Sequence, residues 1–231
     1  MAHPFISLTP SQVRDQPKET DLTSTQLSLL TKVNTIVEEV RQRSPMHLTL
    51  PELQTIMDYK LAFGQNRPAL RALIKKNTDP QVKDVSERAF AVSGEDWPAV
   101  ETAMTILCEL KGVGPATASL ILSLLYPLTV PFFSDEATVD VLRPSGGRKG
   151  IKYTMKTYKA LFEALEVIAV AVNKNGSKEE PILRGELERS IWHSYRLGEK
   201  SKEGEVGSSK RTRSADGKGE SSSRKTKRKK S

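Results

Sequence analysis

A single cysteine, Cys108, stands in 231 residues. One thiol excludes an internal disulfide framework and a four-cysteine zinc or iron–sulfur site within one chain. The chain therefore reads as intracellular. Histidine is nearly as scarce. His3, His47 and His193 lie far apart and form no metal-ligand spacing, so no metal and no other cofactor is expected. No apolar run approaches the roughly 20 residues of a membrane span, and no membrane association is expected. The opening MAHPFISLTP lacks a basic region followed by a long apolar stretch, so no secretory signal is read there. No run alternates apolar and polar residues with period two, which leaves little room for strands.

Positive charge is abundant but unevenly placed. The net charge is +8, from 36 Lys and Arg against 28 Asp and Glu. Residues 197–231 hold twelve of the basic and five of the acidic residues, so the remaining 196 residues carry a net charge of only +1. A DNA-binding face on the folded part must then come from local clusters or backbone amides rather than from bulk charge.

What is present is helical periodicity. Leu27, Leu30, Val33, Ile36, Val37 and Val40 recur at three- and four-residue steps from Ser24, ended by Ser44-Pro45. Thr49, Pro51 and Glu52 open a second helix with Leu53, Ile56, Met57 and Leu61 on one face. Further helices start at Arg67-Pro68, at Asp79-Pro80 and at Asp96, the last reaching Leu110. Helices over 115–126, 134–142, 153–172 and 181–196 complete the set. The expected fold is all-α, a compact bundle of roughly eight to ten helices. Residues 1–22 read as a flexible N-terminus, 23–197 as the helical domain, and 198–231 as a disordered basic tail without aromatics.

Residues 110–119 read LKGVGPATAS. Gly112 and Gly114 bracket Val113 and supply backbone conformations that a Cβ disfavours. Pro115 suits the first position of a following helix. A helix starting directly after a tight glycine turn presents unpaired N–H groups and the positive end of its dipole, which suits a phosphate without side-chain charge. Ala116 and Ala118 allow close helix packing. The stretch resembles a helix-hairpin-helix motif, a DNA-binding element without sequence specificity. Lys111, Gly112, Val113, Gly114, Ala116 and Thr117 are then the expected contacts to the DNA backbone. The plainer reading is a glycine-turned helix pair with no ligand.

The apolar Val130-Pro131-Phe132-Phe133 leads into Ser134-Asp135-Glu136. This order of hairpin, helix, short apolar segment and acid at a helix start is similar to that of the helix-hairpin-helix base-excision DNA glycosylases. The resemblance covers about residues 95–140. It implies that the acid stabilises positive charge on the sugar as a flipped base departs, or helps to activate water. Asp135 is the residue that takes this role, with Glu136 as the alternative. Ser134 as a helix cap with acids in the first turn explains the same residues without chemistry. Bifunctional members carry a lysine in the second half of the hairpin that attacks the sugar, and here that position is Ala116, so a monofunctional glycosylase without lyase activity is implied. The valine-aspartate-threonine-histidine surroundings of the acid, the iron–sulfur loop and the additional domains of some members are absent from this sequence.

Weaker signals remain. YKLAFGQNRP (59–68) places Lys60 and Arg67 on either side of a glycine turn, either near DNA or, more plainly, with Tyr59 and Phe63 buried and the turn solvated. Arg143, Arg148, Lys149 and Lys152 form a basic loop after the acids, with Arg143 and Lys149 as further phosphate contacts. Trp192 reads as a core residue. The terminal cluster of Lys225, Lys227, Arg228, Lys229 and Lys230 suits a nuclear import receptor. The expected protein is a nuclear, monomeric DNA-binding protein and a base-excision glycosylase; the alternative is an inactive DNA- or protein-binding module of a nuclear complex.

Overall fold

The computed structural model describes residues 3–18, 21–64 and 67–211, with side chains up to Gly198. Among these residues there are ten α-helices and no strand. They are α1 (Pro10–Arg14), α2 (Ser24–Gln42), α3 (Leu50–Phe63), α4 (Pro68–Ile74), α5 (Asp79–Phe90), α6 (Trp97–Leu107), α7 (Pro115–Leu125), α8 (Asp135–Leu142), α9 (Met155–Asn175) and α10 (Arg184–Arg211). The chain divides into two units, Met1–Arg196 and Leu197–Ser231, and every contact described below lies within the first. No helix among the described residues is long and apolar enough to cross a membrane.

The helix starts follow from local chemistry. Thr23, Thr49 and Thr78 each accept a hydrogen bond from the amide three residues on, and the side-chain oxygens of Gln26, Glu52 and Gln81 accept one in turn from the cap residue's N–H. Such reciprocal caps contribute roughly 1 kcal/mol each. Asp96 caps α6 and Ser134 caps α8 in the simpler one-way form. Arg43, just past α2, grips Glu52 at the start of α3 through a 2.6 Å bond, which fixes the α2–α3 corner.

α7 is the central helix. Every residue from Ala116 to Leu122 is buried, the signature of a helix apolar on all sides and enclosed by others. It packs against α2, α3 and α6. α9 contributes Tyr158, Leu161, Leu165 and Val172 to the same core.

Three expectations change. The N-terminal segment is not a loose end. A 3₁₀ turn at Pro4–Ser7 and α1 lie against α9 and bury Phe5 and Val13. His3 Nε2 reaches Asp140 at 2.8 Å, and Asn175 Nδ2 donates to the carbonyls of Ile6 and Leu8. Two isolated apolar anchors in a polar stretch show no periodicity, which is why the segment reads as unstructured. α6 stops at Leu107, three residues early, because the chain from Cys108 onward makes tighter turns into the glycine hairpin. α10 continues to Arg211, beyond the start of the expected disordered tail. Extending an anchored helix costs far less than nucleating one, and Glu199, Lys200, Lys202, Glu203 and Glu205 are compatible with it. Residues 212–231, with the basic cluster from Lys225 to Lys230, lie outside the described residues.

Candidate functional site

The glycine turn is held from behind. Gly112 has φ +82°, and a Cβ there would sit 3.0 Å from Leu73 Cβ and 3.1 Å from the Ile74 nitrogen. The turn can therefore press onto the end of α4 only with glycine at this position. Buried Asn77 clamps it further: its Oδ1 accepts the Lys111 N–H and its Nδ2 donates to the Lys111 carbonyl, both at 2.9 Å. Val113 anchors the turn in the core. Gly114 is different. A Cβ there would have nothing within 4 Å. Its carbonyl accepts the Thr117 and Ala118 amides at 2.8 and 2.9 Å, and no side chain caps α7. The positive end of α7 is thus open to a ligand on the Gly114 side.

Asp135 is delivered by the extended segment after α7. Buried Ser119 of α7 accepts the Phe133 N–H at 3.0 Å, and the fully buried Tyr158 of α9 donates to the Pro131 carbonyl at 2.8 Å. Ser134 then caps α8 by accepting the Ala137 N–H at 3.1 Å. Its own hydroxyl donates to Glu188 Oε1 of α10 at 2.5 Å. Burial pushes the Glu188 carboxyl up to about 8, the Ser134 hydroxyl opposing the rise. The start of α8 is thus pinned to α7, α9 and α10 at once.

Asp135, Gly112, Gly114, Ala116 and Thr117 all line one cleft of about 760 Å³, within the size range of small-ligand pockets. Tyr59, Phe63, Phe132 and Trp192 supply aromatic wall. Tyr153 donates to Asp135 Oδ1 at 2.6 Å. Its hydroxyl is pushed up to about 12, first by burial and then by this carboxylate. The Arg67 guanidinium covers the Tyr153 ring, 5.0 Å from its centroid. Lys60, in the last turn of α3, extends into the same cleft and donates to Thr117 Oγ1 at 2.8 Å. Burial lowers the Lys60 amine to about 8; Arg67 adds to the depression and Asp135 opposes it.

Glu136 also lines the cleft but is held differently. It is 5% exposed and lies 3.6 Å from Arg148 Nη2 and 3.5 Å from Arg196 Nη1. Burial raises its carboxyl despite both cations. Asp135 is half-buried, with a hydroxyl as partner. Of the two acids, Asp135 has the accessible carboxylate.

The other expected contacts divide. The Val113 side chain is buried, so only its backbone could touch a ligand, and its N–H is already given to the Leu110 carbonyl at 3.1 Å. Ala116 and Thr117 are buried apart from what they present to the cleft. Lys111, Arg143 and Lys149 are exposed and form no part of the cleft wall. Arg143 instead closes α8 in a left-handed conformation, φ 48°. The one residue of its loop on the wall is Arg148. Trp192 is a wall residue rather than a core residue, half-buried beneath the Arg196 guanidinium at 4.9 Å. Lys60, Gly64 and Arg67 all line the cleft. Tyr153 and Glu188 were not anticipated; a lone tyrosine or glutamate in a helical pattern carries no signal of what it will meet.

Comparison with family models, with curated proteins and with solved structures finds no match to this chain.

Proposed function

We propose that this protein binds DNA through the Gly112–Gly114 turn and releases a base from a nucleotide flipped into the adjoining cleft. This is the chemistry of the helix-hairpin-helix base-excision glycosylases that the sequence resembles. The observation that carries the reading is the presence of Asp135 and the glycine turn on the walls of one cleft. The turn grips a backbone phosphate through amides and dipole, so a nearly neutral domain needs no basic groove. The aromatic wall takes the extruded base, offsetting lost stacking. The Asp135 carboxylate faces the sugar, where positive charge grows as the N-glycosidic bond breaks, and stabilises it or orients a water. Glu136, neutralised by two arginines and buried, serves the fold. The nucleus is the proposed place of action, through the Lys225–Lys230 cluster. A fusion lacking residues 225–231 that still accumulates in the nucleus would remove that part of the reading.

The test is incubation of the full chain with duplexes carrying alkylated, oxidised, deaminated or mismatched bases. Base release from at least one duplex is expected, with loss of about 100-fold or more in Asp135→Asn. Release unaffected by Asp135→Asn, or none from any duplex, overturns the enzymatic reading. DNA binding that survives while release is never seen leaves a binding module.

A further inference from the structure

Lys60 has no task in the reaction just described, and its placement asks for one. Its α3 neighbours Tyr59 and Phe63 stack at 4.8 Å and form cleft wall beside it. Its amine turns inward to the hydroxyl of Thr117, which is 2% exposed, at 2.8 Å. Among the described residues no carboxylate forms an ion pair with it. Burying an ammonium against a neutral hydroxyl is costly, and surface would have cost nothing. A methionine or leucine would fill the same space more favourably. Lysines kept in such surroundings are those whose neutral amine attacks carbonyl carbon. Asp135 lies in the same cleft and favours the charge of the amine, while Arg67, another lining residue, opposes it.

We propose that Lys60 is a nucleophile that forms a Schiff base with the open-chain aldehyde of an abasic deoxyribose in DNA. The inference rests on the DNA-glycosylase reading, because base release leaves that aldehyde in this cleft. The amine adds to C1′, and the carbinolamine loses water to give the iminium. The Asp135 carboxylate takes a proton from C2′. The C3′–O bond breaks, its electron pair leaving with the 3′ phosphate. Water hydrolyses the conjugated iminium, freeing the Lys60 amine and the unsaturated aldehyde. No oxidant or reductant is consumed. The activity is therefore a lyase step with its amine supplied by α3, in place of the hairpin lysine whose position Ala116 occupies. It replaces the expectation of a glycosylase without strand cleavage.

Full-length protein is incubated with a duplex bearing one abasic site, with sodium borohydride to reduce any iminium, and the adduct is mapped by peptide mass spectrometry. The expected result is a covalent protein–DNA adduct on Lys60, lost in Lys60→Met and in Lys60→Arg, which keeps the charge but cannot form the iminium. Mapping on the unaltered chain makes the result independent of whether either variant folds. An adduct on another amine, including those of the lysine-rich C-terminal segment, overturns the proposal. So does the lack of any adduct when the protein binds the abasic duplex. Failure to bind that duplex at all overturns the DNA reading beneath it, a separate outcome.

Discussion

The Tyr153 hydroxyl donates to Asp135 Oδ1 at 2.6 Å, and the Arg67 guanidinium lies over the Tyr153 ring. One carboxylate oxygen of this cleft-lining residue is thus held by a phenol. The phenol orients the carboxylate, and its own acidity is suppressed first by burial and then by the charge it serves. Tyr153→Phe removes one charge-assisted bond and no packing. The expected outcome is a fall in base release of about 10-fold, with DNA affinity within about twofold of the parent and stability reduced by about 1–2 kcal/mol. Single-turnover rates beside binding isotherms measure the first two, and denaturant unfolding the third. A variant with unchanged rate would show the bond to be structural only.

The two glycines of the turn are predicted to fail in opposite ways. Gly112→Ala places a Cβ in a left-handed conformation and within 3.0 Å of α4. A stability loss of about 1–3 kcal/mol is expected from strain and crowding together. Gly114→Ala meets nothing, so its melting temperature stays within about 2 °C of the parent. DNA binding is where it acts, because its methyl stands where a phosphate backbone would approach the first turn of α7. Gly114→Val should weaken binding further. Equal binding by Gly114→Val and the parent would place the DNA contact elsewhere.

These glycines and Asp135 were legible because their signals are local. A GVG turn, a proline at the first helical position and a serine before two acids are residue types at fixed short spacings. The helix starts at Ser24, Thr49 and Asp96 are legible for the same reason. What surrounds them was not. Tyr153 stands 18 residues from Asp135, Glu188 is 54 from Ser134, and Lys60 is 57 from Thr117. Each pair is brought together by helix packing, and nothing in the sequence near either partner marks the meeting. The N-terminal segment reads as loose for a related reason. Phe5 and Val13 find their core in α9, more than 140 residues away. Continuation of α10 to Arg211 shows the opposite limit, since a composition poor in apolar residues disfavours burial but not a helical backbone.

Glu188 makes the fold pH-dependent in an unusual direction for a carboxylate. Its folded value of about 8 lies above that of an unfolded glutamate. Between roughly pH 4.5 and pH 8 the folded state holds a proton that the unfolded state has released. Stability from this group is therefore fully present below the lower value and is lost progressively as pH rises through the upper one. Asp135, Glu136 and Arg189 are the other charged groups around the site, and Ser134 is the direct partner. Glu188→Gln keeps an acceptor for Ser134 and cannot ionise. Melting curves of parent and variant are expected to coincide near pH 4, to draw apart progressively between about pH 4.5 and pH 8, and to stay apart by several degrees at pH 8.5, the variant higher. Parallel curves across the range would mean that Glu188 ionises in the folded state as freely as in water.

Lys60 carries the reverse sign. Its folded value of about 8 lies below that of an unfolded lysine, because burial and Arg67 oppose its charge more than Asp135 supports it. Below pH 8 the folded state must hold an ammonium that water solvates better, so the residue lowers stability throughout the neutral range. The penalty fades as pH rises from 8 towards 10.5, where both states lose the proton. Lys60→Met occupies the same space without the charge, at the loss of one bond to Thr117. At pH 7 it is expected to be more stable than the parent by on the order of 1 kcal/mol, and to lose that advantage near pH 10.5. Denaturant unfolding at the two pH values reads this directly. A variant less stable than the parent at pH 7 would make the Thr117 bond the reason for the lysine, a structural one. A more stable variant that has lost the borohydride adduct would show a residue maintained against the interest of the fold, as a nucleophile must be when its reactivity depends on being held out of water.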